Sequence, residues 1–263
     1  MLVEHHAPDS RLRALVSVYQ ARTAEIAREV RVPLPARTEA ILEFYFTKPH
    51  LIEIQKTGAR ERAPWSVVVG PQTWRRVDLL LSGRLDVFTV RFRPTGLYRL
   101  FGLPMSALTN LAVEAEHLFG PRGAKELHER LEAASTLAAR CAVMDAALLA
   151  REGHSQLHDP IAKAASRMQM AQGETSLRAL GADSGLSARQ FRRQFKMQIG
   201  MAPKLYGRIV RLNAALDVKA RQPSVTWTQI AHEFGWHDQA HLDKDFLDLA
   251  GASPTAFMKR KTA

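Results

Sequence analysis

The chain has 263 residues and carries 37 Lys and Arg against 26 Asp and Glu, a formal net charge of +11 with an isoelectric point near 10.2. That length holds two domains, each able to bury its own core, and the positive balance favours a polyanion, nucleic acid or an anionic membrane, without choosing between them. A single cysteine, Cys141, excludes an intrachain disulfide and any zinc site built on cysteine pairs.

The opening residues contain no apolar run fit for a signal peptide, and nowhere do about 18 apolar residues run together. A soluble, cytoplasmic protein with no membrane partner is therefore expected. Residues 30–93 have β character. The runs at 40–46, 65–69, 77–81 and 85–92 are short and rich in branched or aromatic residues, and Gly70-Pro71 and Ser82-Gly83 punctuate the gaps. They predict an antiparallel, barrel-like domain that closes at Pro94, which cannot donate to a ladder. Its aromatic residues Phe44, Phe46, Trp65, Trp74, Phe88 and Phe92 can line a small-molecule pocket or simply fill the barrel.

From Gly96 to about Glu152 the period becomes helical. Leu127, Leu131, Ala134, Leu137, Cys141, Met144 and Leu148 step by three or four residues and share one face. That stripe buries either against the domain's own sheet or against a second copy of the chain in a homodimer. Its place on the stripe makes Cys141 a buried structural residue rather than a redox sensor. Residues 153–174 are more polar and include Gly153, Pro160 and Gly173; they read as a linker plus the first helix of a second domain. The division expected is 1–152, a β-rich regulatory and dimerisation domain with following helices, and 153–263.

The C-terminal third then repeats itself about 51 residues apart. Phe191 answers to Leu242, Phe195 to Phe246, Gly200 to Gly251, Pro203 to Pro254 and Tyr206 to Phe257. Each copy reads as helix, glycine turn, second helix and a Gly-x-x-Pro break, the helix-turn-helix pattern. Residues 175–263 hold 14 basic and 7 acidic residues, a net +7, against +4 over 1–174, so the positive field gathers on the repeat.

In the first copy Ser187 fits an N-cap, and the helix after it keeps Phe191 and Phe195 inward with Arg189, Arg192, Arg193 and Lys196 outward. An arginine-rich outer face suits the major groove, because a guanidinium offers two parallel donors to guanine O6 and N7. In the second copy Thr226 and Gln229 fit a capping box, Asp238 stands where Ser187 stood, and Gln239, Asp243 and Lys244 point outward from Leu242 and Phe246. His241 flanks this helix, as a phosphate contact or as surface packing. Between the copies, a helix from Pro203 to about Ala220 spans about 27 Å at about 1.5 Å per residue. Reading helices at its two ends can meet successive major grooves, about 34 Å apart.

These segments, GLSARQFRRQFKMQIGMAPKLYGRIVRL and IAHEFGWHDQAHLDKDFLDLAGASPTAF, resemble the DNA-binding domain of AraC/XylS-type bacterial transcription regulators over about residues 175–260. SGRLDVFTVRFRPTGLYRLFGLP is similar to the N-terminal domain of one AraC-like subgroup. The resemblance implies an α+β protein of two domains: an antiparallel β-barrel-like domain with C-terminal helices, then an all-α tandem helix-turn-helix domain. It places base reading on Arg189, Arg192 and Arg193 in the first helix and on Gln239, Ala240, Asp243 and Lys244 in the second. It implies double-stranded DNA as a partner, with RNA polymerase, a small-molecule effector and a homodimer through the N-terminal domain as further expectations. The chain departs from the pattern at Gly181, where alanine is usual, at Asp243, which brings a negative charge near DNA, and at Trp236 in place of phenylalanine, read as a bland aromatic swap.

No cofactor or metal is expected. The histidines, among them His50, His117 and His128, read as solvated or core-edge, the metal pattern of a metal-binding barrel is absent, and there is no glycine-rich phosphate loop. The chain is read as a regulator and not an enzyme. The rivals are a DNA-targeted repair alkyltransferase, which lacks support without a reactive Pro-Cys-His motif, and a sequence-indifferent architectural protein, which the unlike outer faces of the two helices oppose.

Overall fold

Eight strands form one antiparallel sheet at the N-terminal end of the chain: β1 (Leu2–His6), β2 (Val16–Pro33), β3 (Ile41–Tyr45), β4 (Leu51–Ile54), β5 (Arg60–Arg62), β6 (Ser66–Val69), β7 (Val77–Phe92) and β8 (Ala112–Glu114). The order is β1-β2-β7-β3-β6-β8, with β4 on the first half of β7 and β5 on β4. This computed structural model describes residues 1–151 and 159–262, so the expected boundary between 152 and 153 lies outside the described residues.

The sheet begins earlier than the sequence suggested. Between Glu25 and Arg31 β2 is mostly solvated on both faces, so no apolar alternation marks it, and its backbone is held by the ladder to β7. The runs at 77–81 and 85–92 are not two strands joined by a turn. They form the single sixteen-residue β7, in which Gly83, at φ 72°, lies opposite Ile26 where the ladder slips by a bulge before Val30.

Alternation along the central strands sorts their side chains onto two faces. Leu42, Phe44, Val68, Phe88 and Val90 pack against α1 (Gly96–Phe101), α2 (Met105–Leu108), α3 (Glu116–Ala133) and α4 (Leu137–Leu149). Ile41, Tyr45, Val67 and Val69 face the other way and line a cavity. Of the two roles open to the aromatic residues, filling is the one seen: Phe44, Phe88 and Phe92 lie in the sheet–helix core, while Trp65 is exposed and Trp74 lies under the Lys56 ammonium at 4.9 Å. None of the six aromatics lines the cavity.

The apolar stripe is core, not a dimer interface. It is broken at Ala134, and Thr136 caps α4 by accepting from Ala139 N at 3.2 Å. Leu131, Cys141, Met144 and Leu148 are 0% exposed within a single chain, in the core that also holds Phe44 and Phe88. Burial pushes the Cys141 thiol up to about 12, which suits a structural role.

The C-terminal domain is all helical: α5 (Pro160–Met170), α6 (Leu177–Asp183), α7 (Ala188–Ile199), α8 (Pro203–Arg221), α9 (Trp227–Glu233), α10 (Gln239–Ala250) and α11 (Pro254–Thr262). Two pseudo-equivalent helix ends rest on the sheet domain. Gly200, the C-cap of α7, accepts from Thr109 Oγ1 at 2.7 Å, and a Cβ there would lie 2.6 Å from that oxygen and 2.9 Å from Met105 O. Gly251, the C-cap of α10, lies against Arg75, and Ala36 N donates to Leu249 O at 2.8 Å.

Candidate nucleic-acid interface and the barrel cavity

The sequence repeat is a repeat of backbone geometry. Gly185 and Gly235 turn the two motifs at φ 68° and 69°, and Gly200 and Gly251 end α7 and α10 at φ 91° and 69°, values that favour glycine. Ser187 and Gln190 form a full capping box at the start of α7, with Ser187 N donating to Gln190 Oε1 at 3.0 Å. Thr226 and Gln229 form the same box on α9, and the Asp238 carboxylate caps α10 by accepting from His241 N at 2.7 Å. That backbone N–H, with His237 beside it, holds the Asp238 carboxyl below its ordinary range.

Each reading helix is anchored by what the spacing predicted. Phe191, Phe195, Leu242 and Phe246 are buried, as are Tyr206 and Phe257 behind them. The Phe195 ring meets Tyr206 edge-on at 5.4 Å and Phe246 meets Trp227 at 5.1 Å. With those faces inward, Arg189, Arg192, Arg193 and Lys196 all emerge exposed on α7. Among the described residues none of the four is held in an ion pair, so their donors face outward unoccupied. On α10, Gln239, Ala240 and Lys244 are exposed and Asp243 is half-buried.

Two positioning contacts were not legible beforehand. Thr228 Oγ1 donates to Gln239 Oε1 at 2.7 Å, which occupies the amide oxygen and leaves its nitrogen as the free end. Trp236 is more than an aromatic swap. Its indole Nε1 donates at 2.9 Å to Oδ2 of Asp245, which is 2% exposed on the inner face of α10. Oδ1 of the same carboxylate accepts from Arg208 Nε at 2.9 Å and Nη2 at 2.7 Å, and Arg208 also reaches Asp248 at 2.7 Å. Arg211 stacks over the Trp236 ring at 4.7 Å. The second reading helix is thus bolted to α8 through one buried carboxylate. The visible signal was an acid inside the anchoring stripe, three residues after Leu242 and one before Phe246. Asp243 forms no ion pair among the described residues; Arg208 is spent on Asp245 and Asp248.

The cavity on the inner face of the sheet has a volume of about 780 Å³. Ile41, Ile52, Ile54, Val67 and Val69 give it apolar walls, and Asn213, Leu216 and Asp217 of α8 close one side. Glu43, 8% exposed, lies at its base and is bound by Arg22, by Tyr45 OH at 2.7 Å and by Thr89 Oγ1 at 3.2 Å. Burial alone would raise the Glu43 carboxyl, but Arg22, the Tyr45 hydroxyl and Arg37 outweigh it and hold it low.

Residues 180–260 match a family of helix-turn-helix domains, and residues 4–114 match a family described as a domain of unknown function, DUF6597. No curated protein matches the chain. Among solved structures the whole chain is similar to ToxT from Vibrio cholerae O395, at 9% identity over 93% of this chain and 98% of that one, with a TM-score of 0.51. A ToxT structure bound to (E)-4-(8-methylnaphthalen-1-yl)but-3-enoic acid matches at 9% identity over 92% and 99%, with a TM-score of 0.52. ToxT from strain SCE256 with an unsaturated fatty acid bound matches at 7% identity over 91% and 94%, with a TM-score of 0.50. At these identities the likeness is one of fold. The paired motifs and the matched helix-turn-helix family give the chain an AraC-type DNA-binding domain at residues 180–260 behind a DUF6597 domain at residues 4–114, and with them the make-up of a DNA-binding transcription regulator.

Proposed function

We propose that α7 and α10 read bases in successive major grooves, through Arg189, Arg192, Arg193 and Lys196 on the first and Gln239, Ala240, Asp243 and Lys244 on the second. The observation that carries this is the pair of anchored helices, one before and one after α8 in the chain, whose outer faces hold these residues. The nineteen residues of α8 span about 28 Å at about 1.5 Å per residue, close to the repeat of the duplex. Unlike outer faces support sequence reading over sequence-indifferent binding, and the reading is of a cytoplasmic regulator rather than an enzyme.

Residues 1–152 act in this reading as the regulatory domain and 153–263 as the DNA-binding domain. A small-molecule effector acts in the barrel cavity. Support comes from the three α8 residues in its wall, which put the occupant against the strut between the reading helices, and from the carboxylic acids held by ToxT. A homodimer through the N-terminal domain uses a face other than the 127–148 stripe, and RNA polymerase is the expected further partner.

Selection of bound DNA from a random pool tests the reading. A motif with two half-sites about one helical turn apart supports it; no enriched motif returns the architectural reading. On the selected site, Arg193→Ala is expected to cost about 1–3 kcal/mol through loss of a bidentate guanine contact, with a smaller loss on random DNA. Equal losses on both, in titrations at one salt concentration, reassign Arg193 to a phosphate. Because Asp243 has no ion-pair partner among the described residues, Asp243→Ala is expected to relax preference at a single cytosine by about 1–3 kcal/mol. Uniformly tighter binding to every sequence would make Asp243 a repulsive surface charge and nothing more.

A further inference from the structure

The C-terminal ends of α7 and α10 both come to rest on one short stretch of the sheet domain, residues 71–75 between β6 and β7. Pro71 stands at the first end: a Cβ on Gly200 would lie 2.8 Å from its Cγ, and Thr109 Oγ1 donates to Gly200 O. Arg75 stands at the second: a Cβ on Gly251 would lie 3.6 Å from its Cδ, and Ala36 N donates to Leu249 O. Carbonyls at a helix C-terminus have no partner within the helix, so these donors answer acceptors that α7 and α10 leave open. The Arg75 guanidinium also lies at the negative end of the α10 dipole. The Ala36 side chain is 0% exposed and belongs to the core of the helical domain itself.

The stretch between the two helix ends is held stiff. Asn110, left-handed at φ 61°, clasps it: its N donates to Pro71 O at 2.9 Å, its Oδ1 accepts from Thr73 N at 2.8 Å and its Nδ2 donates to Thr73 Oγ1 at 2.9 Å. Gln72 exchanges two backbone bonds of 2.8 Å with Arg37. Arg75 Nε donates at 2.8 Å to Asp78, and both side chains are buried. From Pro71 to Arg75 the chain reaches at most about 14 Å, too short to bend once tied at these points. On their other flanks the same helices pack on α8, α7 through the Phe195 ring on Tyr206 and α10 through Asp245 on Arg208. A helix held on one flank alone can pivot about that contact. Held at its end as well, it cannot.

We infer that the sheet domain fixes the distance and angle between the two reading helices, and with them the spacing of half-sites that the chain accepts. Residues 71–75 act as the spacer, with Thr109, Asn110 and Arg75 as its positioning residues. The inference rests on the base-reading role proposed above for α7 and α10, and adds a determinant of DNA specificity outside the helical domain. Spacing is a demanding quantity, because one base pair shifts a half-site by about 3.4 Å along the duplex and turns it by about 35°. With both helices held, that displacement falls on the DNA, which must deform. With one helix released, a pivot of the helix absorbs it.

The test titrates the full-length chain against duplexes carrying the two selected half-sites at the selected spacing, with one base pair added and with one removed, and against a duplex with the α7 half-site alone. In the wild-type chain either change of spacing is expected to weaken binding at least about tenfold, as a DNA deformation cost implies. Thr109→Val keeps the shape of the side chain and deletes the donor. Asn110→Gly keeps the left-handed backbone and deletes the clasp. Each should reduce the spacing penalty to about threefold or less, as the loss of a hydrogen bond or two allows. Affinity for the single half-site should stay within about twofold in both, which a general loss of fold would not permit, and Thr109→Ser should keep the wild-type penalty. A wild-type chain indifferent to spacing overturns the inference. So does a penalty unchanged in both variants, which leaves the spacing to α8, or one that falls only together with single-half-site affinity. Should thermal melting show that one variant does not fold, the other decides. A chain that selects a two-part motif whose spacing neither variant moves loses only the spacer. A chain that selects no motif loses the base-reading role, and the spacer with it.

Discussion

Leu131→Asp is expected to unfold the N-terminal domain. Leu131 is 0% exposed at the C-terminal end of α3, in the same core as Phe44, Phe88, Cys141 and Met144. Truncation to alanine alone costs about 2–5 kcal/mol through lost transfer energy and the cavity left behind. A carboxylate adds the cost of an unpaired charge in an apolar interior, so the total reaches at least about 4 kcal/mol, a large part of the roughly 5–15 kcal/mol that holds a domain together. The variant should lose its near-ultraviolet dichroism and become sensitive to limited proteolysis in residues 1–151, while Leu131→Ala stays folded with a lower urea midpoint. A Leu131→Asp protein that keeps the native spectrum and only sediments more slowly than the wild type would sink this expectation and put the stripe at an interface between copies.

Asp245→Ala should give the second largest effect. Its carboxylate holds the Trp236 indole, both side-on donors of Arg208 and, at 3.9 Å, Arg211. Removing it leaves the buried indole N–H without a partner and frees Arg208 from its better acceptor. Arg208 is partly exposed and retains Asp248, so the loss is discounted from the full cost of breaking a buried pair to about 2–3 kcal/mol. Arg208→Gln should cost less, because Asp245 keeps Trp236. In a double-mutant cycle, Trp236→Phe and Asp245→Ala should be strongly non-additive. Additive losses would mean that Trp236 only fills space. Asp245→Ala should also weaken DNA binding chiefly at the half-site read by α10, since it loosens that helix against α8 and leaves α7 alone.

Local patterning made the DNA-binding domain legible. Anchors four residues apart, caps made by Ser187, Thr226 and Asp238, and glycines at the turns are short-range rules, and each acts within a turn or two of helix. The outward set Arg189, Arg192, Arg193 and Lys196 follows from them, because fixing Phe191 and Phe195 inward fixes the opposite face of the same helix. The strands were legible only where one face is buried. The solvated half of β2 and the bulge at Gly83 carry no alternation, because a ladder partner nearly 60 residues away holds them and not their own side chains.

What the sequence by itself determined, then, is the course of α7 and α10 and the side chains they present outward. Tertiary structure decided which of two buried partners each ambiguous residue meets. The 127–148 stripe is equally apolar whether it faces a sheet or a second chain, and only the packing of α3 and α4 on Phe44 and Phe88 assigns it to the core. The pairing of Glu43 with Arg22 and of Glu39 with Arg91 was likewise invisible, because each is made between segments distant in sequence. Coulomb and hydrogen-bond energies between side chains fall off within a few ångströms, so pairing is settled by distances that only the folded chain defines.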